Sequence, residues 1–222
     1  MSAELPFELL EHPELLAECN GWSEEVYRDL LAFQAGRLSQ AELDAKYLHR
    51  KAILTLDLTG FTVNCFGGRQ VHGFLRILDA QKVCVPVLKE HDASLVRAFA
   101  DDLVALFDDA GRAVDAAFEM HRRIAHFNGS ALAAEHPAHC CIGIGYGDVY
   151  AIGPNLAMGD EMNRASKLGE DTARGSETLV TGNVYEALRH RQDVLFEPLA
   201  HDDMLFAYYR ATPRLAAGPN SV

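Results

Sequence analysis

Lys51-Ala52-Ile53-Leu54-Thr55-Leu56-Asp57-Leu58-Thr59-Gly60-Phe61-Thr62 is the stretch on which the fold turns. Ala52 to Leu56 is a nearly continuous apolar run, the pattern of a strand buried on both faces. It ends at an acid, Asp57, and a glycine-containing turn. A helical segment follows, marked by Phe74, Leu75, Leu78, Val83, Val85 and Leu88, with Pro86 a candidate kink. Ser94–Phe99 and Leu103–Phe107 are strand-like and separated by Ala100-Asp101-Asp102, the spacing of a hairpin. Residues 112–127 form an amphipathic helix, and Cys141–Ile152 is strand-like with glycines at 143, 145 and 147. A helix over Met158–Gly169, a strand Thr178–Thr181, a short helix Asn183–Arg191 and two strands within Leu195–Ala211 complete the order. That order, β-α-β-β-α-β then α-β-α-β-β, predicts an α+β fold. Its core is ferredoxin-like, a mixed, mainly antiparallel sheet with helices packed on one face.

Outward from this core, residues 1–48 read as a helical extension. Leu9, Leu10, Leu15 and Leu16 form one apolar set, and Val26, Leu30, Leu31 and Phe33 another, with Ser23 as N-cap before Glu24 and Glu25. Residues 49–211 form the main domain and 212–222 a flexible tail. Phe66, Phe74, Phe118 and Phe127 read as core.

The chain has 222 residues, 49% of them hydrophobic, enough for a sizeable core. Its 20 Lys+Arg against 32 Asp+Glu give a net charge of −12, with pI near 5.2. Sequence-independent binding to nucleic acid or to an anionic membrane needs a basic face, so neither partner is expected. No apolar stretch approaches the ~18 residues of a membrane span, and no signal peptide is apparent. The five cysteines are odd in number and lack a CxxC pair, which suits free thiols and a cytoplasmic setting.

Asp57 follows a buried strand and Asp101 sits at the hairpin. In a ferredoxin-like sheet these elements can be neighbours, so the carboxylates would converge beside a helix N-terminus. Carboxylates in that arrangement suit Mg²⁺ or Mn²⁺, and the N–H groups of the turn Leu58, Thr59, Gly60 and Phe61 could cradle phosphate oxygens. Each acid alone also has an ordinary structural explanation, as a helix cap or a turn residue.

Taken together, these residues resemble a class III nucleotidyl cyclase domain. Asp57-Leu58-Thr59-Gly60-Phe61-Thr62 is similar to the first metal motif, and Val96-Arg97-Ala98-Phe99-Ala100-Asp101 to the second. Cys141 to Val149 resembles the glycine-rich strand, and Gly159 to Lys167 the helix carrying the transition-state Asn. The resemblance implies a head-to-tail homodimer with composite active sites. One chain would supply Asp57 and Asp101 for two Mg²⁺ or Mn²⁺ ions, the other the base pocket and Asn163. Asn163 would orient the ribose and Lys167 would stabilise charge on the α-phosphate. Lys167 stands where Arg is usual. His201-Asp202-Asp203 stands where many relatives have Lys-Gly-Lys, which leaves Arg174 as a candidate phosphate contact.

The family's adenine-reading positions fall on Arg97 and Leu156. Leu156 accepts no hydrogen bond, and Arg97 only donates, which suits the carbonyls of uracil. This pattern is similar to the pyrimidine cyclases of bacterial Pycsar anti-phage systems. It implies UTP as substrate and cyclic UMP as product, with CTP or GTP as alternatives. A catalytically lapsed nucleotide-binding module is a second reading.

Other motifs carry less. His136, His139, Cys140 and Cys141 include zinc-ligand types, but adjacent strand residues point to opposite faces. The glycines 143, 145 and 147 lie inside a strand with no helix opening after them, unlike a dinucleotide loop. No nucleophile elbow and no Gly-Gly-Asp/Glu-Glu-Phe signature occurs.

Overall fold

A computed structural model describes residues 9–19, 22–59, 70–130, 137–152, 157–200 and 204–214. The elements in chain order begin with α1 (Pro13–Cys19), α2 (Glu24–Gln34), α3 (Gln40–Tyr47), β1 (Leu48–Leu58), α4 (Gln70–Glu90), β2 (Leu95–Phe99) and β3 (Asp102–Phe107). Then come α5 (Ala110–Asn128), β4 (Cys140–Ala151), β5 (Ala157–Met158), α6 (Asp160–Ser166) and a π-helix (Lys167–Thr172). The last are β6 (Thr178–Thr181), α7 (Gly182–Leu188), β7 (Val194–Leu199) and β8 (Tyr208–Pro213).

The sheet runs β2-β3-β1-β4-β6-β8-β7, with β5 paired to β4. Its first four strands have the ferredoxin-like order. β1 pairs antiparallel with β3, β2 with β3, β6 with β8 and β7 with β8, while β4 and β6 are parallel. β8 extends to Pro213, which pairs with Val194, so residues 212 and 213 are strand and not tail.

The chain divides into two compact units. The larger comprises residues 50–148 and 159–222. Alternation along β1 sends Ala52, Leu54, Leu56 and Leu58 into one core together with α4, α5 and α7. α5 presents Ala113, Ala116 and Ala117 there, small side chains that let the helix lie close, and Asp109 caps it by accepting from the Arg112 N–H. Full burial of side chains such as Leu54 and Phe107 contributes ~1.5–3 kcal/mol each. The opposite face is also covered: Leu168 and Ala173 pack there with Cys141, Leu179 and Tyr208. Helices therefore clothe both faces, not one. Cys140 and Cys141 belong to different cores, as their alternation requires.

The buried stripe of α4 differs from the sequence reading. Arg76, Ala80, Cys84, Val87 and Leu88 face inward, while Phe74 is 65% exposed and Leu75 and Leu78 are also exposed. Phe74 is therefore not the core residue it was read as: the apolar residues of this helix outnumber the positions of one face. Phe118 packs against the main core, Phe127 lies under the Lys82 ammonium, and Phe66 is outside the described residues.

The smaller unit comprises residues 1–49 and 149–158. Ser23 caps α2 and Ser39 caps α3 with a capping box to Glu42. Its core is Val26, Leu43, Tyr47 and Ile152. Leu9, Leu10 and Leu15 are exposed.

Candidate active site

Asp57 is the penultimate residue of β1. Ile53 pairs with Leu106, Thr55 with Val104 and Leu56 with Leu103. One further step of this ladder sets Asp57 across from Asp102, on the face away from the α4–α5 core. β2 and β3 close through Ala100 and Asp101 alone, because Phe99 pairs with Asp102. Ala100 adopts a positive φ of 51° to make the turn, a conformation for which glycine is the unstrained residue. Arg97 pairs with Val104 and so shares the Asp102 face.

Electrostatics report the same convergence. Asp57 is pushed up to about 6, first by burial, then by the charges of Asp101 and Asp102, and more weakly by Glu170; the Leu58 N–H opposes this by donating to its carboxylate. Asp102 is also raised, by burial, Glu170 and Asp101, with Arg97 pulling the other way. The charges of both hairpin acids therefore bear on Asp57, and so, more weakly, does that of Glu170 in the π-helix. Sequence reasoning missed Glu170, because the π-helix shifts residues 167–172 out of α-helical register.

These oxygen donors fit a hard divalent cation, whose charge would relieve their mutual repulsion. Among the described residues no three His, Cys, Asp or Glu side chains already form a metal cluster, so other oxygens would complete the coordination.

Gly143, Gly145 and Gly147 all lie on the β4 face over which α6 passes. A Cβ at Gly143 would stand 2.0 Å from the Ala165 carbonyl oxygen, and one at Gly145 2.5 Å from that of Glu161. The alternating glycines thus form a slot for α6. Within it the buried Glu161 carboxylate accepts from Tyr146 N–H (2.9 Å), Thr181 Oγ1 (2.8 Å), Asn183 Nδ2 (2.9 Å) and Arg164 Nη1 (2.7 Å). Three glycines at alternate strand positions were the legible signal that something bulky lies on that face. The acid itself was not singled out.

This anchorage turns the other side of α6 outward. Asn163 and Lys167 are both exposed and lie four residues apart on one face. Lys167 Nζ donates to Asp171 at 2.8 Å. Arg174 is exposed on the loop beyond the π-helix, where its backbone N–H donates to Glu177.

In the turn after Asp57, the Leu58 N–H is engaged by the Asp57 carboxylate and the Thr59 N–H donates to the His139 carbonyl at 2.9 Å. Gly60, Phe61, Leu156 and residues 201–203 lie outside the described residues.

No protein-family model and no curated protein matches the sequence. Solved structures do. One is the non-canonical dimeric guanylyl cyclase domain of the RhoGC fusion protein from the aquatic fungus Blastocladiella emersonii. It aligns with TM-score 0.62 and 19% identity over 76% of this chain and 97% of that one. The guanylate cyclase domain of RhGC from Catenaria anguillulae, in complex with GTP, gives TM-score 0.63 and 19% identity over 74% and 97%. The adenylyl cyclase CyaB from P. aeruginosa gives 0.63 and 16% over 75% and 96%. The fold is that of class III cyclase domains. No described helix is long and apolar enough to cross a membrane.

Proposed function

We propose that this chain is a metal-dependent nucleotidyl cyclase that converts UTP to 3′,5′-cyclic UMP and pyrophosphate. The observation that supports the reading is that the charges of the hairpin acids Asp101 and Asp102 bear on Asp57 at the end of a strand in a cyclase-type sheet. Asp57 and Asp101 would hold two Mg²⁺ or Mn²⁺ ions, which supply charge neutralisation and acidify the ribose 3′-hydroxyl. The 3′-oxygen loses its proton and bonds to the α-phosphorus as the bond from that phosphorus to the bridging oxygen breaks; pyrophosphate departs with the electron pair. Asn163 orients the ribose, and Lys167, released from Asp171, meets the charge growing on the α-phosphate. Asn163 and Lys167 project outward, which suits a head-to-tail homodimer in which they serve the partner's carboxylates.

Arg97 is the proposed base reader, donating to a pyrimidine carbonyl, and Leu156 stands at the second base-reading position that the resemblance implies. CTP and GTP are the alternatives. Formation of a pyrimidine cyclic nucleotide as an anti-phage signal, in the manner of Pycsar systems, is the physiological form of this proposal. The contact of Lys167 with Asp171 favours a second reading, a lapsed nucleotide-binding module.

The test is incubation of the purified chain with each of the four ribonucleoside triphosphates and Mn²⁺, with products resolved by mass spectrometry. Cyclic UMP should dominate, and Arg97→Ala should flatten the preference. Tight binding without turnover would favour the second reading, and neither binding nor product from any nucleotide would refute both.

A further inference from the structure

α6 cannot set its own direction. It has seven residues, fewer than the roughly 12–15 at which an isolated helix becomes marginally stable. No side chain caps its N-terminus at Gly159. Its first turn is therefore held by what it packs against. Asn163 closes that turn, its N–H donating to the Gly159 carbonyl at 3.0 Å.

The holder is Glu161, only 4% exposed. Its side chain lies over Gly145 and Gly147, where a Cβ would stand 3.1 Å from Oε2 and 2.7 Å from Cγ. Oε2 accepts from Tyr146 N–H on β4 and from Thr181 Oγ1 on β6. Oε1 accepts from Asn183 Nδ2 on α7 and from Arg164 Nη1 on α6 itself. Three other elements thus fix one side chain two residues from Asn163. Arg164, next to Asn163, is gripped between that carboxylate and the Phe206 ring, whose centre lies 5.6 Å from its Cζ.

A stable core needs no such acid. An apolar side chain of the same shape fills a buried slot without desolvating a charge, and such exchanges are often neutral or stabilising. What it lacks is direction. Apolar contact lets a short helix slide and turn over the glycines, whereas four directional hydrogen bonds allow one placement.

We infer that Glu161 is a positioning residue for cyclisation: it fixes the direction in which α6 presents Asn163 to the ribose. This rests on the nucleotidyl cyclase reading above. A misplacement of about 1 Å at a positioned group costs on the order of 100-fold in rate. The network draws on β4, β6, α6 and α7, whereas Asp57 and Asp101 sit on β1 and the β2–β3 hairpin, so binding of metal and triphosphate should be spared.

The experiment is steady-state cyclisation in Mn²⁺, well below the melting temperature, with the nucleotide that the parent turns over best. It compares the full chain with Glu161→Gln and Thr181→Val. Glutamine keeps the shape but presents an amide donor where one oxygen accepted. Its kcat should fall about 30-fold, with KM within about 2-fold of the parent. Thr181→Val removes one donor from β6, at a position whose side chain caps no helix, and should lower kcat about 3-fold at unchanged KM. An acid that only stabilises the fold would lower the melting temperature and leave kcat per folded molecule intact. Parent kcat in folded Glu161→Gln would therefore overturn the inference and leave the cyclase reading standing. Should Glu161→Gln fail to fold, parent kcat in Thr181→Val overturns it. A parent that cyclises no nucleotide overturns the inference together with the reading beneath it.

Discussion

Thr55 Oγ1 donates to the carbonyl oxygen of Ala165 at 2.9 Å. Thr55 lies two residues before Asp57, and Ala165 two residues after Asn163. The strand bearing the first acid and the helix bearing the exposed amide are thus tied within one chain by a buried bond. Gly143 and Gly169 allow the approach, since a Cβ at Gly169 would meet Thr55 Oγ1 at 2.7 Å. The two halves of the candidate chemistry share one rigid scaffold although they face different directions.

Glu161 is the anchor of that scaffold. Glu161→Ala would leave four donors unpaired, including the Arg164 guanidinium and the Tyr146 N–H. Breaking a buried, hydrogen-bonded charge network of this kind costs about 3–5 kcal/mol. Urea denaturation should show that loss, with Glu161→Gln losing less because it keeps one acceptor oxygen.

The glycine slot makes a contrasting pair of substitutions. Gly143→Ala would press a methyl against backbone at 2.0 Å and should destabilise by more than about 2 kcal/mol. Gly36 has a positive φ of 69° but open space around it, so Gly36→Ala should cost only about 1 kcal/mol. Equal effects in thermal melts would mean that α6 does not lie against β4 as described.

The hairpin offers a stabilising change. Ala100 holds a φ of 51°, and Ala100→Gly should relieve this strain by about 0.5–1 kcal/mol. A calorimetric melt that falls instead would show that the methyl group makes a contact worth more than the strain.

Asp57 gives the pH dependence its sign. Its folded value of about 6 lies above the ordinary 3.8, because of burial and then the charges of Asp101 and Asp102. Between those values the folded state binds more protons than the unfolded one, so metal-free stability falls as pH rises through this window. With solvent screening of a half-buried group, the loss is on the order of 1–2 kcal/mol. Asp57→Asn should flatten the dependence and stabilise the metal-free protein. Mn²⁺ affinity should rise with pH up to about 6 and then level off. Chemical denaturation at several pH values, with and without Mn²⁺, measures all three.

The sequence made legible what rests on local pattern. Ala52 to Leu56 announced a buried strand, and the placement of Asp57 and Asp101 followed from that strand and a hairpin. It was silent where several distant segments meet. Glu161 draws its partners from residues 146, 164, 181 and 183, and no window of sequence contains that network. Arg76 sits at a core position that composition rules assign to a hydrophobe, while Phe74, read as core, is exposed two residues before it. The charge of Glu170 bears on Asp57 from a π-helical turn, which no apolar period encodes.

The central claim is that Asp57 and Asp101 jointly hold divalent cations against a triphosphate. Anomalous scattering from a crystal grown with Mn²⁺ and a non-cyclisable UTP analogue tests it most directly. The account predicts manganese peaks about 2.1–2.2 Å from oxygens of both carboxylates and from phosphate oxygens. Bound nucleotide with no manganese near either acid would contradict it.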